Sequence, residues 1–383
     1  MNILLVTETY LPFISGVSSS SDSIARFMVS RGHTVTVASP KAVIAGEVPT
    51  LPGLSFITAP SVRDPLYAGK PMTVFPFGFP VIYGLLRSNT FDVVHIQEPG
   101  SLGISALCAA KIHKVPTVGA LHFTPDQVAR MTTGGKTNRF IRWMAERYIR
   151  CVYRMYDAIM VPTQTFVDFL HDLGVHTRTQ VVSNGVHTDV YTPPNTPRSG
   201  TKQSMQILYI GRLDKDKNVM TLIDALQYAD PGVTLIIAGS GKDKQLLIDR
   251  ARALHVDKRI TWKGTITETQ MIALYREVDC FVLMAEFEVQ SIVTLQALAS
   301  GLPVLGARAG ALPELIHDGE NGYTLEPHDA KELGKKMNEL LAHPETRTRM
   351  GKASREISLL HHKPTVLSKL EALYREVIDT KNN

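Results

Sequence analysis

The sequence predicts an α/β protein built from two doubly wound domains. Three observations carry that prediction. The chain has 383 residues, more than one ordinary core accommodates. Short apolar runs alternate with helical stretches, the pattern of parallel strands buried between helices. A Pro/Gly/Ser/Thr-rich segment, YTPPNTPRSGTKQS at residues 191–204, interrupts this alternation, which then begins again.

In chain order, NILLVT, TVTVAS, LSFITA, DVVHIQ, TVGALH, AIMVPT and TQVVSN read as the buried strands of the first half. SSSDSIARFMVSRGH, between the first two, reads as a helix with a serine-rich start and a stop at Gly32. Beyond the linker, QILYIG, TLIIAG, ITWKG, CFVLM and PVLGA are the strands, and the closing TVLSKLEALYREVI is an amphipathic helix. The domains are therefore expected at residues 1–195 and 205–364. In doubly wound sheets ligands bind at the carboxyl ends of the strands, so the site is expected in a cleft that the two domains face.

Composition narrows the class. Hydrophobic residues make up 44% of the chain, enough for a full globular core. Cys108, Cys151 and Cys280 are widely spaced and odd in number, which offers neither a disulfide framework nor a zinc spacing and suits a reducing compartment. MNILLVTETY opens on a strand without a basic leader. The longest apolar run, VFPFGFPVIYGLL at 74–86, is broken by Pro76 and Pro80 and falls short of the roughly 18–20 residues a membrane span needs. A cytoplasmic location is expected.

The net charge of +5 is unevenly spread. Residues 1–200 hold 17 Lys+Arg against 12 Asp+Glu, whereas residues 201–383 hold 24 against 24. Within the first half, 130–154 carries Arg130, Lys136, Arg139, Arg142, Arg147, Arg150 and Arg154 against Glu146. In TNRFIRWMAERYIRCVYRMYDA, helical spacing puts Ile141, Met144, Tyr148, Val152 and Met155 on one face and Arg139, Arg142, Arg150 and Arg154 on the other. Such a face is either merely solvated or rests on anionic lipid headgroups. No nucleic-acid module accompanies it.

Several loops carry chemistry. YIGRLDKDKNV ends a strand at Gly211 and then presents Arg212 and Lys217, two cations suited to a diphosphate. Asp214-Lys215-Asp216 has the form of a metal-binding pair, but its lysines compete for the carboxylates, and no metal is expected. In EFEVQSIVTLQALASGLPV, Ser291–Ser300 reads as a helix stopped by Gly301. Its first amides, at Ser291, Ile292 and Val293, form an anion site. Glu288 just ahead either complements the helix dipole or accepts hydrogen bonds from sugar hydroxyls. Gln296, on the second turn, is placed to bond a ribose. Gly16, in LPFISGVSSSSD, allows close backbone approach to a ligand. His122 ends a strand where the cleft should be. AGSGKD lacks the spacing of a dinucleotide fingerprint, and no Walker A motif occurs.

Taken together, these pieces resemble the retaining family 4 glycosyltransferases of GT-B fold. The resemblance runs from residue 1 to about 330. It rests on Ile14-Ser15-Gly16-Val17, Asn184-Gly185-Val186, Gly211-Arg212-Leu213 with Lys217, and Ala238-Gly239-Ser240-Gly241. Lys263-Gly264 and the E-x7-E position spanning Glu288 to Gln296 complete it. The resemblance implies that Glu288 and the amides of Val289, Gln290 and Ser291 hold the donor sugar. His122 would face the sugar's reacting side. Arg212, Lys217 and the helix start at Ser291–Val293 would stabilise the departing diphosphate, and Gly264 near Trp262–Thr265 would flank the base. It implies no metal or other cofactor beyond the sugar-nucleotide substrate. It also implies a C-terminal helix, about 365–383, that returns to the N-terminal domain.

Gln296 stands where the family has a second Glu, so weaker donor binding is expected. Ser15 and His187 are lesser departures. The opening Thr7–Pro12 with Ser15-Gly16-Val17, and Glu288-Val289-Gln290-Ser291, resemble bacterial diacylglycerol α-glucosyltransferases. That implies a UDP-glucose-like donor and a lipid acceptor. It also implies a peripheral enzyme at the inner face of the plasma membrane, using Arg139, Arg142, Arg147, Arg150 and Arg154 as its patch. Two rivals stand beside it: a soluble family member acting on a small sugar or polysaccharide precursor, and a non-catalytic sugar-nucleotide binding protein.

Overall fold

The computed structural model describes residues 1–13, 15–41, 51–63, 71–132, 138–195 and 203–382. Ile14, Lys136, the Arg130 side chain and linker residues 196–202 lie outside that description. The chain forms two compact units, residues 1–183 with 364–383, and residues 184–363.

The first unit is built on a seven-stranded parallel sheet. Its strands are β1 (Asn2–Val6), β2 (Thr34–Pro40) and β3 (Leu54–Ala59), then, after a short antiparallel pair β4 (Val62–Arg63) and β5 (Pro71–Met72), β6 (Val93–Ile96), β7 (Thr117–Ala120), β8 (Ala158–Val161) and β9 (Thr179–Val181). The order is β3-β2-β1-β6-β7-β8-β9, with Ile3 registered on Val35 and on Val93. All seven predicted strands are present. They read clearly because helices on both faces leave no solvent side to break the apolar run. Helix Gly16–Ser30 begins as its serines suggest: Ser15 caps Ser18 N, and the Ser18 hydroxyl returns to Ser15 N. The chain leaves that helix through Gly32 at φ +82°.

Helix Lys363–Asn382 belongs to this unit although it follows the whole of the second in sequence. It packs Leu367, Leu370, Leu373, Tyr374 and Val377 against Ile3, Leu5, Tyr10 and Met28. Burying a Leu-sized side chain stabilises by roughly 1.5–3 kcal/mol, so this helix is a structural part of the first core. Glu371 fastens it further. One carboxylate oxygen accepts from His33 Nε2 at 3.0 Å and Arg375 Nη2 at 2.7 Å, and the other from Arg31 Nε at 3.2 Å.

The second unit has a six-stranded parallel sheet. Its strands are β10 (Met205–Ile210), β11 (Val233–Ala238), β12 (Ile260–Gly264), β13 (Cys280–Leu283), β14 (Val304–Ala307) and β15 (Gly322–Leu325), in the order β12-β11-β10-β13-β14-β15. The sequence signalled five of these. It missed β15, whose four residues GYTL include a glycine and a threonine and sit in a polar stretch. Residues 184–195 also fall on the other side of the division from their sequence assignment. Val186 N donates to His361 O at 2.9 Å, and the Tyr191 ring is buried in the second core. Among the described residues no helix is long and apolar enough to cross a membrane.

Candidate active site

In the second unit the predicted loops gather along one sheet edge, at the carboxyl ends of β10, β11, β12 and β13. Backbone contact draws the first three together. Leu213 N donates to Ser240 O at 2.9 Å, and Gly239 N to Gly264 O at 2.7 Å. The turns after β10 and β11 are so close that a Cβ on Gly239 would sit 1.8 Å from the Gly211 carbonyl oxygen, so only glycine fits there.

The loop after β10 divides its cations. Arg212 is exposed and pairs with Asp214 and, at 3.1 Å, with Asp216. The Asp214 and Asp216 carboxylates are thus engaged by an arginine. Lys217 sits on the turn Lys215–Lys217, which Asn218 closes in a left-handed conformation at φ +53°. Its ammonium pairs with Glu288, and both side chains are largely buried. Glu288 comes from the loop after β13. Its carbonyl accepts from Ala311 N at 2.9 Å. Gly310 packs beneath, where a Cβ would lie 2.6 Å from that same oxygen. The carboxylate is thus carried on a backbone held from behind.

Helix Ile292–Ala299 starts beside it. Ser291 caps it, accepting from Thr294 N at 3.2 Å, while the amides of Ser291, Ile292 and Val293 meet no acceptor among the described residues. Val289 and Gln290 are buried. The Gln290 side-chain oxygen accepts from Asn184 N at 2.6 Å, and its carbonyl from Asn184 Nδ2 at 3.4 Å, so Gln290 fastens the Asn184-Gly185-Val186 turn.

Gln296 is held by two tyrosines that sequence reasoning missed. Its amide nitrogen donates to Tyr191 Oη at 3.0 Å, and Tyr275 Oη reaches its oxygen at 3.3 Å. Tyr191 in turn donates to Glu268 Oε1 at 3.2 Å. Burial, followed by the Glu268 charge, pushes the Tyr191 phenol up. A glutamine supplies both the donor and the acceptor that this chain of groups needs; a carboxylate supplies acceptors alone.

In the first unit, taken by itself, His122 lies just beyond β7. Its Nε2 lies 2.8 Å from Gln97 Oε1, Gln97 Nε2 lies 3.0 Å from His95 Nε2, and His95 Nδ1 meets the Tyr374 hydroxyl. Burial holds His122 down to about 4 and, with the neighbouring His122, His95 down to about 3. Both rings are neutral at physiological pH. His95 in β6 and Gln97 just beyond it are two apart in the apolar run VVHIQ, and that spacing was the available signal. Gly16 opens helix Gly16–Ser30, and a Cβ there would meet nothing within 4 Å.

The arginine-rich helix spans Arg139–Tyr153 and buries Ala145, Ile149, Val152 and Tyr153. That corrects the sequence-derived apolar face: Met144, Tyr148 and Met155 are exposed, together with Phe140 and Trp143, which stack on each other. The arginines differ in employment. Arg150 donates to Leu173 O at 2.5 Å and Arg154 to Gly174 O at 2.6 Å, bracing the neighbouring turn. Arg142 pairs with Glu146 at 2.9 Å and Asp126 at 3.4 Å. Arg139 and Arg147 stand exposed without an acidic partner among the described residues.

Two family models match the chain, "Glycosyltransferase Family 4" over residues 14–190 and "Glycosyl transferases group 1" over residues 196–357. The chain is 27% identical over 344 residues to the GDP-mannose-dependent alpha-mannosyltransferase of Corynebacterium glutamicum, covering 87% of this chain and 78% of that one. It is 25% identical to the alpha-monoglucosyldiacylglycerol synthase of Acholeplasma laidlawii, covering 100% of this chain and 98% of that one. Its fold is similar to that of the sucrose-phosphate synthase of Thermosynechococcus elongatus, with a TM-score of 0.81, 17% identity and 99% of each chain covered. One family model stops at residue 190 and the other resumes at 196, so together they take in residues 14–357 apart from 191–195. The chain belongs to the family 4 glycosyltransferases of GT-B fold, and it is a hexosyltransferase that works from a sugar nucleotide.

Proposed function

We propose that the protein transfers a glucose-like hexose, with retention of configuration, from a UDP-sugar to a membrane lipid such as a diacylglycerol, forming an α-glycoside. The donor half of this reading rests on one observation: Lys217 and Glu288 are paired beside the unoccupied amides of Ser291–Val293. When donor binds, Lys217, Arg212 and those amides meet the diphosphate, and Glu288 accepts hydrogen bonds from sugar hydroxyls. The bond from the anomeric carbon to the diphosphate breaks through an oxocarbenium-like state, and the acceptor oxygen bonds that carbon as its proton passes to the departing diphosphate. Negative charge grows on the departing diphosphate, where fixed cations and amides are worth most. The reading uses no metal, and the pairing of Arg212 with Asp214 and Asp216 supports that.

The acceptor half is supported by the stacked Phe140 and Trp143 beside Arg139 and Arg147. This is an aromatic and cationic surface of the kind that settles at an anionic interface. The relative named for monoglucosyldiacylglycerol synthesis supports it too. The mannosyltransferase relative supports a second reading, with a GDP-sugar as donor and the same chemistry.

Purified protein assayed with UDP- and GDP-hexoses, with and without vesicles of diacylglycerol and anionic phospholipid, tests both halves. Vesicle-stimulated consumption of one UDP-hexose, with an α-anomeric lipid product by NMR, is expected. Turnover confined to soluble sugar acceptors would refute the lipid reading. Trp143→Ala should lower vesicle binding several-fold at low salt while leaving turnover on detergent-dispersed acceptor intact.

A further inference from the structure

The first unit holds a run of buried polar groups that the proposed reaction leaves unexplained. Tyr374, His95 and Gln97 are fully buried, and they connect helix Lys363–Asn382 through β6 to His122. Their hydrogen bonds cannot be set independently. A neutral imidazole has one N–H and one lone pair, and an amide has one donating and one accepting end. Choosing the direction of one bond therefore fixes the rest.

Two directions are self-consistent. With Gln97 Oε1 toward His122, His122 carries its proton on Nε2, and Gln97 donates to His95 Nε2. His95 must then donate from Nδ1 to the Tyr374 oxygen. That leaves the Tyr374 hydroxyl proton buried, with no second acceptor among the described residues. A buried donor without an acceptor is costly. In the opposite direction Tyr374 donates to His95 Nδ1, and His95 Nε2–H donates to the Gln97 oxygen. The Gln97 amide, turned half a rotation at nearly unchanged shape, donates to His122 Nε2. Every proton between the rings then has an acceptor. His122 carries its own proton on Nδ1, the nitrogen that has no partner among the described residues.

We propose that Tyr374, His95 and Gln97 are positioning residues that fix His122 as its neutral, Nδ1-protonated tautomer, so that the ring offers bound substrate a hydrogen-bond donor of constant direction. The proposal rests on the reading that His122 meets substrate. Depressed basicity at both rings agrees with it, because a relay of this kind works only while each imidazole keeps a single proton. The device uses neutral groups throughout.

The test is a two-bond proton–nitrogen NMR correlation on the full chain labelled with 15N-histidine, with the His122 signals assigned through His122→Asn. The expected spectrum shows one form, with His122 protonated at Nδ1 and His95 at Nε2. His122 protonated at Nε2 would overturn the proposal. Tyr374→Phe keeps the packing but removes the hydroxyl that sets direction. Both tautomers of His122 should then appear, with kcat/KM lowered several-fold at an unchanged melting temperature. A spectrum unaltered by Tyr374→Phe would overturn the relay. In Gln97→Glu, a carboxylate accepts from both rings, so His122 should turn over to the Nε2 form and kcat/KM should fall about tenfold or more. His122→Ala separates the two levels. Unchanged turnover in that variant would defeat the reading that His122 meets substrate, whatever the spectra show.

Discussion

At the carboxyl ends of β10 and β13 the second unit sets a lysine against a glutamate, two full charges largely withdrawn from water. At the carboxyl ends of β6 and β7 the first unit sets two imidazoles, an amide and a phenol, none of them charged at physiological pH. The carboxyl-end edges of two separate parallel sheets thus carry opposite electrostatics. The difference follows from what each edge can offer. Lys217 and Glu288 lie close enough to repay each other's desolvation. His95 and His122 have no carboxylate partner in the relay, so burial drives them neutral instead. A charged pair can be turned toward a charged ligand; a neutral chain can orient a ligand without attracting it.

The largest way to break that contrast is Lys217→Ala. It removes a cation from the diphosphate and leaves Glu288 buried without its partner. The expected fall in kcat/KM is on the order of 100- to 1,000-fold, read from sugar-nucleotide turnover. Glu288→Ala should fall comparably, and the double variant should fall by much less than the product if the two act as one unit. A Lys217→Ala enzyme within tenfold of the parent would show that the pair is merely structural.

A middle-sized effect sharpens the role of uncharged groups inside the charged unit. Gln296→Glu restores the residue the family pattern favours, yet it places a carboxylate against Tyr191, whose hydroxyl already serves Glu268. The expected result is a lower melting temperature, equivalent to about 1–2 kcal/mol, from the lost donor and the added negative charge. A rise in melting temperature by calorimetry would contradict the amide's role. Any change in donor affinity measured beside it would separate ribose contact from packing.

The smallest effect on turnover is expected at Glu371, a buried carboxylate of the first unit. Arg375, then His33 and Arg31, hold its carboxyl down to about 2 from an ordinary 4.5, against the opposing effect of burial. A depressed folded-state value means that stability is fully present above about 4.5 and is lost as pH falls toward about 2. Glu371→Gln should therefore flatten acid unfolding across that window, as followed by circular dichroism. An acid limb as steep as the parent's would place the sensitivity elsewhere.

Much of this was legible in the sequence, because buried parallel strands print long apolar runs and tight strand–helix turns print glycines. The edge formed by Gly211, Gly239, Gly264 and Glu288 could be assembled from such runs alone. What could not be read is partnership at long range. Gln296 meets Tyr191 from 105 residues away, and His95 meets Tyr374 from 279 away, and no local spacing records either. The helix Arg139–Tyr153 failed differently. Its apolar residues encircle enough of the axis that two stripes compete. The one that turns inward holds Ala145, Ile149, Val152 and Tyr153. β15 failed through brevity, since four residues with a glycine carry too little periodicity.

Helix Lys363–Asn382 imposes an order on synthesis. A ribosome releases residues 1–183 first, but Leu367, Leu370, Leu373, Tyr374 and Val377, which close their core, emerge only after residues 184–363. During translation the second unit can therefore finish while the earlier one still shows an open apolar seam beside Ile3, Leu5 and Met28. A nascent chain halted short of residue 364 would expose that seam to chaperones and proteases, and its His95 would lack the tyrosine that orients it. The first unit's core thus waits for a helix made after the whole of the second unit, and quality control of that core is concentrated there.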